Sequence, residues 1–252
     1  MREVRGSIPR TPTSANPNSE NKKPTPQPSC HYPRWKSPLG PGAPPSPWEG
    51  HREGAKRFRE IVAAVFDLGI PYFTFWGGSE DNFKRDPQEV QKLLAFAGRE
   101  LEHQLRTGNF ARRKVRVRFL GRWKEFLKKE PRLCQLLETL QNQTKKFKDR
   151  QLTVLLAYDG RREMLEALKK LRRAKKPVDA KTLKKALWTG NLPDVDLVIR
   201  TGGEPHWSAG FMMWLTANSQ FYFSKKFWPG FKKPELQQAL RDYSRRERRF
   251  GR

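Results

Sequence analysis

Hydrophobic positions change rhythm several times along the chain, and each change marks an element. Between Gly50 and Leu68 they recur at helical spacing, placing Phe58, Ile61, Val62, Val65 and Phe66 on one face. Gly69 ends that helix, and Pro71–Trp76 reads as a strand. The helical period returns over Pro87–Leu105 through Val90, Leu93, Leu94, Ala97 and Leu101. Val115–Leu120 alternates with period two, as a half-buried strand does. Residues 122–149 predict one lysine-rich helical stretch, and Leu152–Ala157 predicts a buried strand. Residues 161–187 read as helix with a break near Pro177. The short run Leu197–Ile199 has the composition of a buried parallel strand, and Gln220–Phe223 makes a last short one. Strands separated by helices of this length predict an α/β fold with a mostly parallel central sheet and right-handed crossovers. No internal repeat is visible.

The beginning of the chain does not share this patterning. Its first fifty residues hold twelve of the twenty prolines and no aliphatic periodicity. Runs such as Pro24–Pro28 and Pro41–Pro45 resist both helix and sheet, so residues 1–47 read as disordered or extended. Residues 48–252 form the folded domain on this reading.

Polar clusters follow three of the strands, where ligands of open α/β sheets bind, and a further one lies at the C-terminus. After the first comes Gly77–Arg85, with a flexible turn, an amide at Asn82 and a cation at Arg85. After the third comes Tyr158–Arg161. The fourth runs Asp194–Glu204 and ends in Arg200, Thr201, Gly202, Gly203 and Glu204, with His206 and Ser208 beyond. Arg200 offers a permanent, fork-shaped cation to a phosphate, and the glycines let backbone N–H groups approach the same anion. The same residues also make a plain tight turn with a surface salt bridge. The terminal Arg245–Gly251 segment adds four arginines, which alone read as a solvated basic tail.

Composition narrows the partners. Lys+Arg 52 against Asp+Glu 26 gives a formal charge of +26, which suits diphosphates, anionic lipid surfaces or nucleic acid. The charge concentrates in Lys124–Lys148 and Lys169–Lys185 without a nucleic-acid reading motif, so nucleic acid is not the expected partner. Cys30 and Cys134 form neither a metal pattern nor a disulfide framework. With no secretory h-region and no apolar run of membrane-spanning length, a cytoplasmic chain is expected, with peripheral contact to anionic membrane open to it.

Taken together, Gly50-His51 before a helix, Ser79-Glu80 with Asn82 and Arg85, Tyr158–Arg161 and Asp196–Glu204 resemble the cis-prenyltransferases, the undecaprenyl diphosphate synthase family. Trp214, Tyr222-Phe223, Trp228-Pro229 and Arg245–Gly251 complete the likeness, which covers residues 48 to 252 in the family's order. The resemblance implies an isoprenyl transferase. An allylic diphosphate such as farnesyl diphosphate ionises, isopentenyl diphosphate attacks the allylic carbon, and proton loss leaves a cis double bond. It implies that Arg200, His206 and Ser208 hold isopentenyl diphosphate, with Arg249 and Gly251 reaching in from the partner of a homodimer. It places His51, Asn82 and Arg85 near the reacting carbons and the allylic diphosphate, His51 and Asn82 as the catalytic candidates. Leu93, Leu94, Phe96 and Leu101 would line an apolar tunnel for the growing chain, and the cofactor would be Mg²⁺.

The likeness fails at its start. The family's first strand ends in an aspartate-glycine-asparagine turn followed by arginine and tryptophan, whose aspartate holds the metal and whose N–H groups cradle the allylic diphosphate. Here no aspartate precedes Asp67, only Arg34-Trp35 echo the turn, and the prolines of residues 24–30 cannot sit in a central strand. The first strand and the Mg²⁺ carboxylates are therefore in doubt. Pro47 and His206 stand where arginines are usual, Phe83 where a tryptophan is, and Gln220 where a carboxylate is frequent. Two explanations stand: a shifted reading frame upstream of residue 50, which the abrupt change of composition favours, or a non-catalytic partner subunit. Either way the residues predict binding of isopentenyl diphosphate better than turnover.

Overall fold

Each element begins and ends where its sequence allows. In the computed structural model, which describes residues 47–245, helix α1 spans Pro47–Asp67 and buries Ile61, Val62, Val65 and Phe66. These residues fall at the i, i+1, i+4, i+5 positions of one helical face. Gly69, in the left-handed region at φ 78, turns the chain into strand β1, Tyr72–Gly78. Helix α2, Pro87–Thr107, starts where the Asp86 carboxylate accepts the N–H groups of Gln88 and Glu89. A short helix α3, Asn109–Arg112, leads into strand β2, Val115–Leu120. Helices α4, Trp123–Phe126, and α5, Pro131–Thr144, lead to strand β3, Arg150–Leu156. After β3 come α6, Gly160–Arg173, α7, Ala180–Ala186, and strand β4, Leu197–Arg200. Strand β5, Gln220–Phe223, and helix α8, Lys233–Arg245, complete the described residues.

All strand pairs are parallel, and helices connect successive strands up to β4, as the patterning predicts for an α/β fold, while residues 201–219 link β4 to β5 by turns. They form two sheets, ordered β1-β3-β2 and β4-β5. Strand β3 is central in the first sheet, with Leu152 and Leu155 facing Phe73 and Trp76 on one side and Val117 and Leu120 on the other. It is accordingly buried along its length, with Leu152, Thr153 and Leu155 at most 1% exposed. The outer edge of β2 is covered from α5. Thr144 Oγ1 accepts the Val117 N–H at 3.0 Å, and Gln141 Oε1 accepts the Phe119 N–H at 2.9 Å. These two side chains complete the backbone pairing that an edge strand lacks.

Three sequence expectations need correction. The helical stretch at 122–149 is two helices, because Pro131 lacks the N–H a continuing helix needs and instead occupies the first turn of α5. The break in 161–187 is wider than Pro177 alone, running over residues 174–179 with Lys175 at φ 49 and Asp179 capping α7. Helices α3 and α8 were not foreseen, since α8 buries only Leu236 and Ala239 within a polar sequence. The segment 1–47 expected to be disordered lies outside the described residues except for Pro47, which opens α1.

The edge cover of β2 can be tested by Thr144→Val, which keeps the shape of a fully buried side chain and leaves the Val117 N–H without its acceptor. Chemical denaturation should show a loss of about 1–3 kcal/mol with an unchanged m-value. An unaltered midpoint would show that this bond does not support the sheet.

Candidate functional site

Four strand ends are tied to one another before any ligand is considered. At the end of β2, Gly121 has φ 114, and a Cβ there would lie 2.1 Å from the Leu156 carbonyl oxygen of β3. Arg122 follows. Its N–H donates to the Ala157 carbonyl at 3.1 Å, and its guanidinium bonds both Glu80 carboxylate oxygens at 3.1 Å and Glu125 at 2.6 Å. The end of β2 is thereby joined to β3 and to the turn after β1. Hydrogen bonds to Glu125 and Glu80 hold the Arg122 pKa above its already high ordinary value.

A second tie joins β3 to the loop after β4. The Gly160 N–H donates to Ala209 O at 3.0 Å, and a Cβ on Gly160 would lie 1.7 Å from Gly210 O. Only glycine permits that approach. Beside it the buried Tyr158 hydroxyl donates to Glu163 at 2.6 Å and accepts the Met212 N–H at 3.1 Å, while the Thr189 N–H donates to the other Glu163 oxygen at 2.7 Å. Burial, reinforced by Glu163, pushes the Tyr158 pKa far above its ordinary value, so the hydroxyl stays a donor.

The loop held in this way carries the anion-binding candidates. Arg200, at the end of β4, donates from Nε to Glu204 O at 2.8 Å and from one terminal nitrogen to Ser208 Oγ at 2.7 Å. Its other terminal nitrogen lies 3.1 Å from His206 Nε2, which is 2.9 Å from Ser208 Oγ. A guanidinium only donates, so this geometry makes Nε2 the acceptor and puts the imidazole proton on Nδ1, which faces Glu204 at 3.6 Å. Arg200, His206 and Ser208 therefore share one point, as the sequence predicts. The glycine reading needs correction. The N–H groups of Gly202 and Gly203 donate to Lys226 O and Ser224 O at 2.8 and 3.0 Å, so they do not face an anion. The two glycines serve the turn through their φ values of 104 and 80.

The remaining candidates lie elsewhere. Asn82 closes the turn after β1, its Oδ1 accepting the Ser79 N–H at 2.7 Å. Arg85 bonds Glu89 of α2 at 3.0 Å. Charge from both reaches His51 of α1, whose pKa is lowered, first by burial, with Glu89 opposing and Arg85 adding. Arg249 and Gly251 lie outside the described residues. The tunnel candidates Leu93, Leu94, Phe96 and Leu101 are half-buried on α2. None of them lines the cavity of about 290 Å³ that opens between β1 and β4. Phe73, Phe75, Val198 and Trp228 line its apolar part, and Arg200, His206 and Ser208 stand at its polar end.

Sequence reasoning missed Glu80–Arg122 and Tyr158–Glu163 as the supports of this site. Arg122 carried a usable signal, because it lies two residues beyond the end of a strand with a glycine between. Among the described residues no three His, Cys, Asp or Glu side chains gather where one ion could be held.

Converging cationic and hydroxyl groups at the carboxyl end of a parallel strand are the chemistry that suits a phosphorylated ligand. Comparison with known proteins narrows the class. Residues 43–251 match the sequence profile of the prenyltransferase family of undecaprenyl diphosphate synthases, and the chain belongs to that family. It is 36% identical over 218 residues to an isoprenyl transferase of Thermus thermophilus, covering 82% of this chain and 81% of that one. It is equally 36% identical over 213 residues to a tritrans,polycis-undecaprenyl-diphosphate synthase of Methanopyrus kandleri, covering 82% and 77%. The fold matches lavandulyl diphosphate synthase from Lavandula x intermedia, solved with dimethylallyl diphosphate, at TM-score 0.74 and 26% identity over 81% of this chain and 89% of that one. A probable undecaprenyl diphosphate synthase from Campylobacter jejuni shares the fold at TM-score 0.69 and 24% identity, over 80% and 93%.

The lowered His51 pKa has a measurable consequence. Below the ordinary value of 6.5 the unfolded chain takes up this proton more readily than the folded one. Stability contributed by neutral His51 is therefore present above 6.5 and lost as pH falls through the folded value. In His51→Gln, unfolding measured at a series of acidic pH values should show a shallower fall in stability than wild type. Superimposable pH profiles would contradict the burial of this imidazole.

Proposed function

We propose that this chain binds isopentenyl diphosphate at the end of β4 and is an isoprenyl transferase of the undecaprenyl type. The observation that carries the reading is the meeting of Arg200, Ser208 and His206 at one point of a loop fixed by Gly160 and Tyr158. A diphosphate entering there meets a permanent cation, a hydroxyl and an imidazole. The apolar tail of the ligand would lie against the aromatic side of the cavity. In the condensation, the allylic C–O bond breaks, diphosphate leaves, a C–C bond forms to the isopentenyl unit, and one proton is lost.

This chain's residues serve that reaction unevenly. Arg200, Ser208 and His206 would orient isopentenyl diphosphate, with Arg249 and Gly251 of a second copy closing over it in a homodimer. Asn82 and Arg85 would face the allylic diphosphate, and His51, held neutral, is suited to accept a proton. Mg²⁺ would stabilise the departing diphosphate when bound, and the aspartate with which the family's first turn holds it has no counterpart before Asp67. A leaving group without that support ionises roughly a thousandfold more slowly or worse. Efficient binding with feeble turnover is the expected behaviour, and it also suits a non-catalytic partner subunit. Among the described residues no helix is long and apolar enough to cross a membrane. The proposed setting is the cytoplasm, with the basic surface resting against anionic lipid.

Calorimetric titration with isopentenyl diphosphate tests the reading. Arg200→Ala should bind about 10- to 100-fold more weakly, the value of a charge-assisted contact of about 1.5–3 kcal/mol. Arg200→Lys, which keeps the charge and loses the fork, should fall between. Equal affinity in all three proteins, with unchanged circular dichroism, would place the diphosphate elsewhere.

A further inference from the structure

The first sheet has two unlike faces. The register of β1, β3 and β2 sets their residues in rows across it. On the face shared with α1 the rows are Phe73-Leu152-Val117 and Phe75-Val154-Phe119, all apolar and part of the main core. The other face begins apolar near the carboxyl ends of the strands, where Trp76, Leu155 and Leu120 pack with Met212 and Leu215. Its next two rows are polar throughout, Thr74-Thr153-Arg118 and Tyr72-Gln151-Arg116. Parallel sheets of α/β proteins are normally apolar on both faces, so two polar rows call for a reason. On the central strand the reason is local. Thr153 and Gln151 are buried, and the Gln151 amide donates to Thr153 Oγ1 at 3.1 Å. Strand β2 has no such pairing. Arg116 and Arg118 are half-buried, and neither guanidinium makes a hydrogen bond or an ion pair among the described residues. They stand two residues apart on one face, about 6.5 Å along the strand. Burial, and after it repulsion from Arg116, lowers the Arg118 pKa. Other arginines withdrawn from solvent are partnered, Arg122 by Glu80 and Glu125, and Arg57 by Glu60 and the Pro229 carbonyl.

We propose that Arg116 and Arg118 form an anion site, apart from the β4 loop, which takes a phosphate group. The chemistry selects phosphate over a carboxylate. One carboxylate is matched by a single guanidinium fork, whereas a phosphate carries up to two charges and enough terminal oxygens to bridge both forks. Neighbouring charge favours the same ligand. Exposed Arg113 and Lys114 lead into β2, and exposed Lys148 lies just before β3. The acids at this end of the sheet are Asp67, which Arg113 already bonds at 2.7 Å, and Asp149. Tyr72, 46% exposed, leaves the lower row open to solvent and to an entering ligand. Arg116 and Arg118 lie within β2 itself, whereas Arg122 and Arg200 stand at or beyond carboxyl strand ends, so the proposal does not need the isopentenyl diphosphate reading. A free phosphate compound and the headgroup of an anionic lipid present the same group to this pair.

Thermal unfolding of the full chain in inorganic phosphate, against chloride at equal ionic strength, tests the site. Arg200→Ala serves as the reference protein, so that the β4 loop contributes less to the response. Phosphate should raise its unfolding midpoint. Adding Arg116→Gln or Arg118→Gln should raise the phosphate concentration needed for the same shift about tenfold or more. Arg118→Lys, which keeps the charge and loses the fork, should fall between. An unchanged response in the glutamine variants, or no response to phosphate in the reference protein, would overturn the proposal. Sedimentation with phosphatidylglycerol vesicles separates the two sources of the phosphate. For a lipid headgroup, the double variant Arg116→Gln/Arg118→Gln should bind vesicles more weakly than Lys181→Gln/Lys185→Gln, which removes equal charge from exposed positions of α7. Equal vesicle binding by the two, with the phosphate response lost only in the first, would assign the site to a free phosphate compound.

Discussion

The structure depends on the close approach of Gly160 to the loop at Ala209-Gly210. A side chain on Gly160 would overlap a carbonyl oxygen, so the contact exists only because that position is glycine. Through it, the end of β3 fixes the loop that follows β4, although the two strands belong to different sheets. Tyr158 strengthens the same junction by bonding Glu163 and the Met212 N–H in a fully buried position, where an unmade hydrogen bond would be costly. Everything polar in the β4 loop is aimed by this junction.

Arg200 is the chief beneficiary. A long cationic side chain at a strand end normally samples many rotamers, and fixing it costs entropy. Here the Glu204 carbonyl, Ser208 and His206 hold all three sides of the guanidinium before a ligand arrives. Preorganised donors of this kind do little for the fold and much for anion recognition. On the other side of the cavity the turn after β1 is set by Arg122, whose carboxylate partner Glu80 immediately follows Ser79. The ties that hold the two turns, Glu80 to Arg122, Gly160 to Ala209 and Tyr158 to Met212, join residues far apart in sequence.

That distance explains what the sequence showed and what it hid. The face of α1 was legible because Phe58, Ile61, Val62 and Val65 repeat with helical period, and β2 was legible because Val115, Val117 and Phe119 alternate. Arg200 was legible because it follows a short apolar run directly. The split at Pro131 was visible in the sequence, but the lysines around it read as one helical stretch. Strand order was not visible, because nothing local in β3 says that it pairs with both β1 and β2. Nor did the glycines of the β4 turn disclose that their N–H groups are already engaged by Lys226 and Ser224. The family likeness drew attention to Arg200, His206 and Ser208, and only the fold showed which residues hold their loop in place.

The proposed function combines a preorganised β4 loop, which suits a diphosphate, with a chain that has no aspartate before Asp67 to serve as the family's first-turn metal ligand, and so expects binding ahead of turnover. Single-turnover chemistry measured beside equilibrium binding tests that combination directly. Isotopically labelled isopentenyl diphosphate is bound to the purified chain, farnesyl diphosphate and Mg²⁺ are added, and elongated products are followed in time. The account predicts saturable binding with elongation at least about a thousandfold slower than typical enzyme turnover. Rapid formation of long polyprenyl products, or no binding of isopentenyl diphosphate, would contradict it.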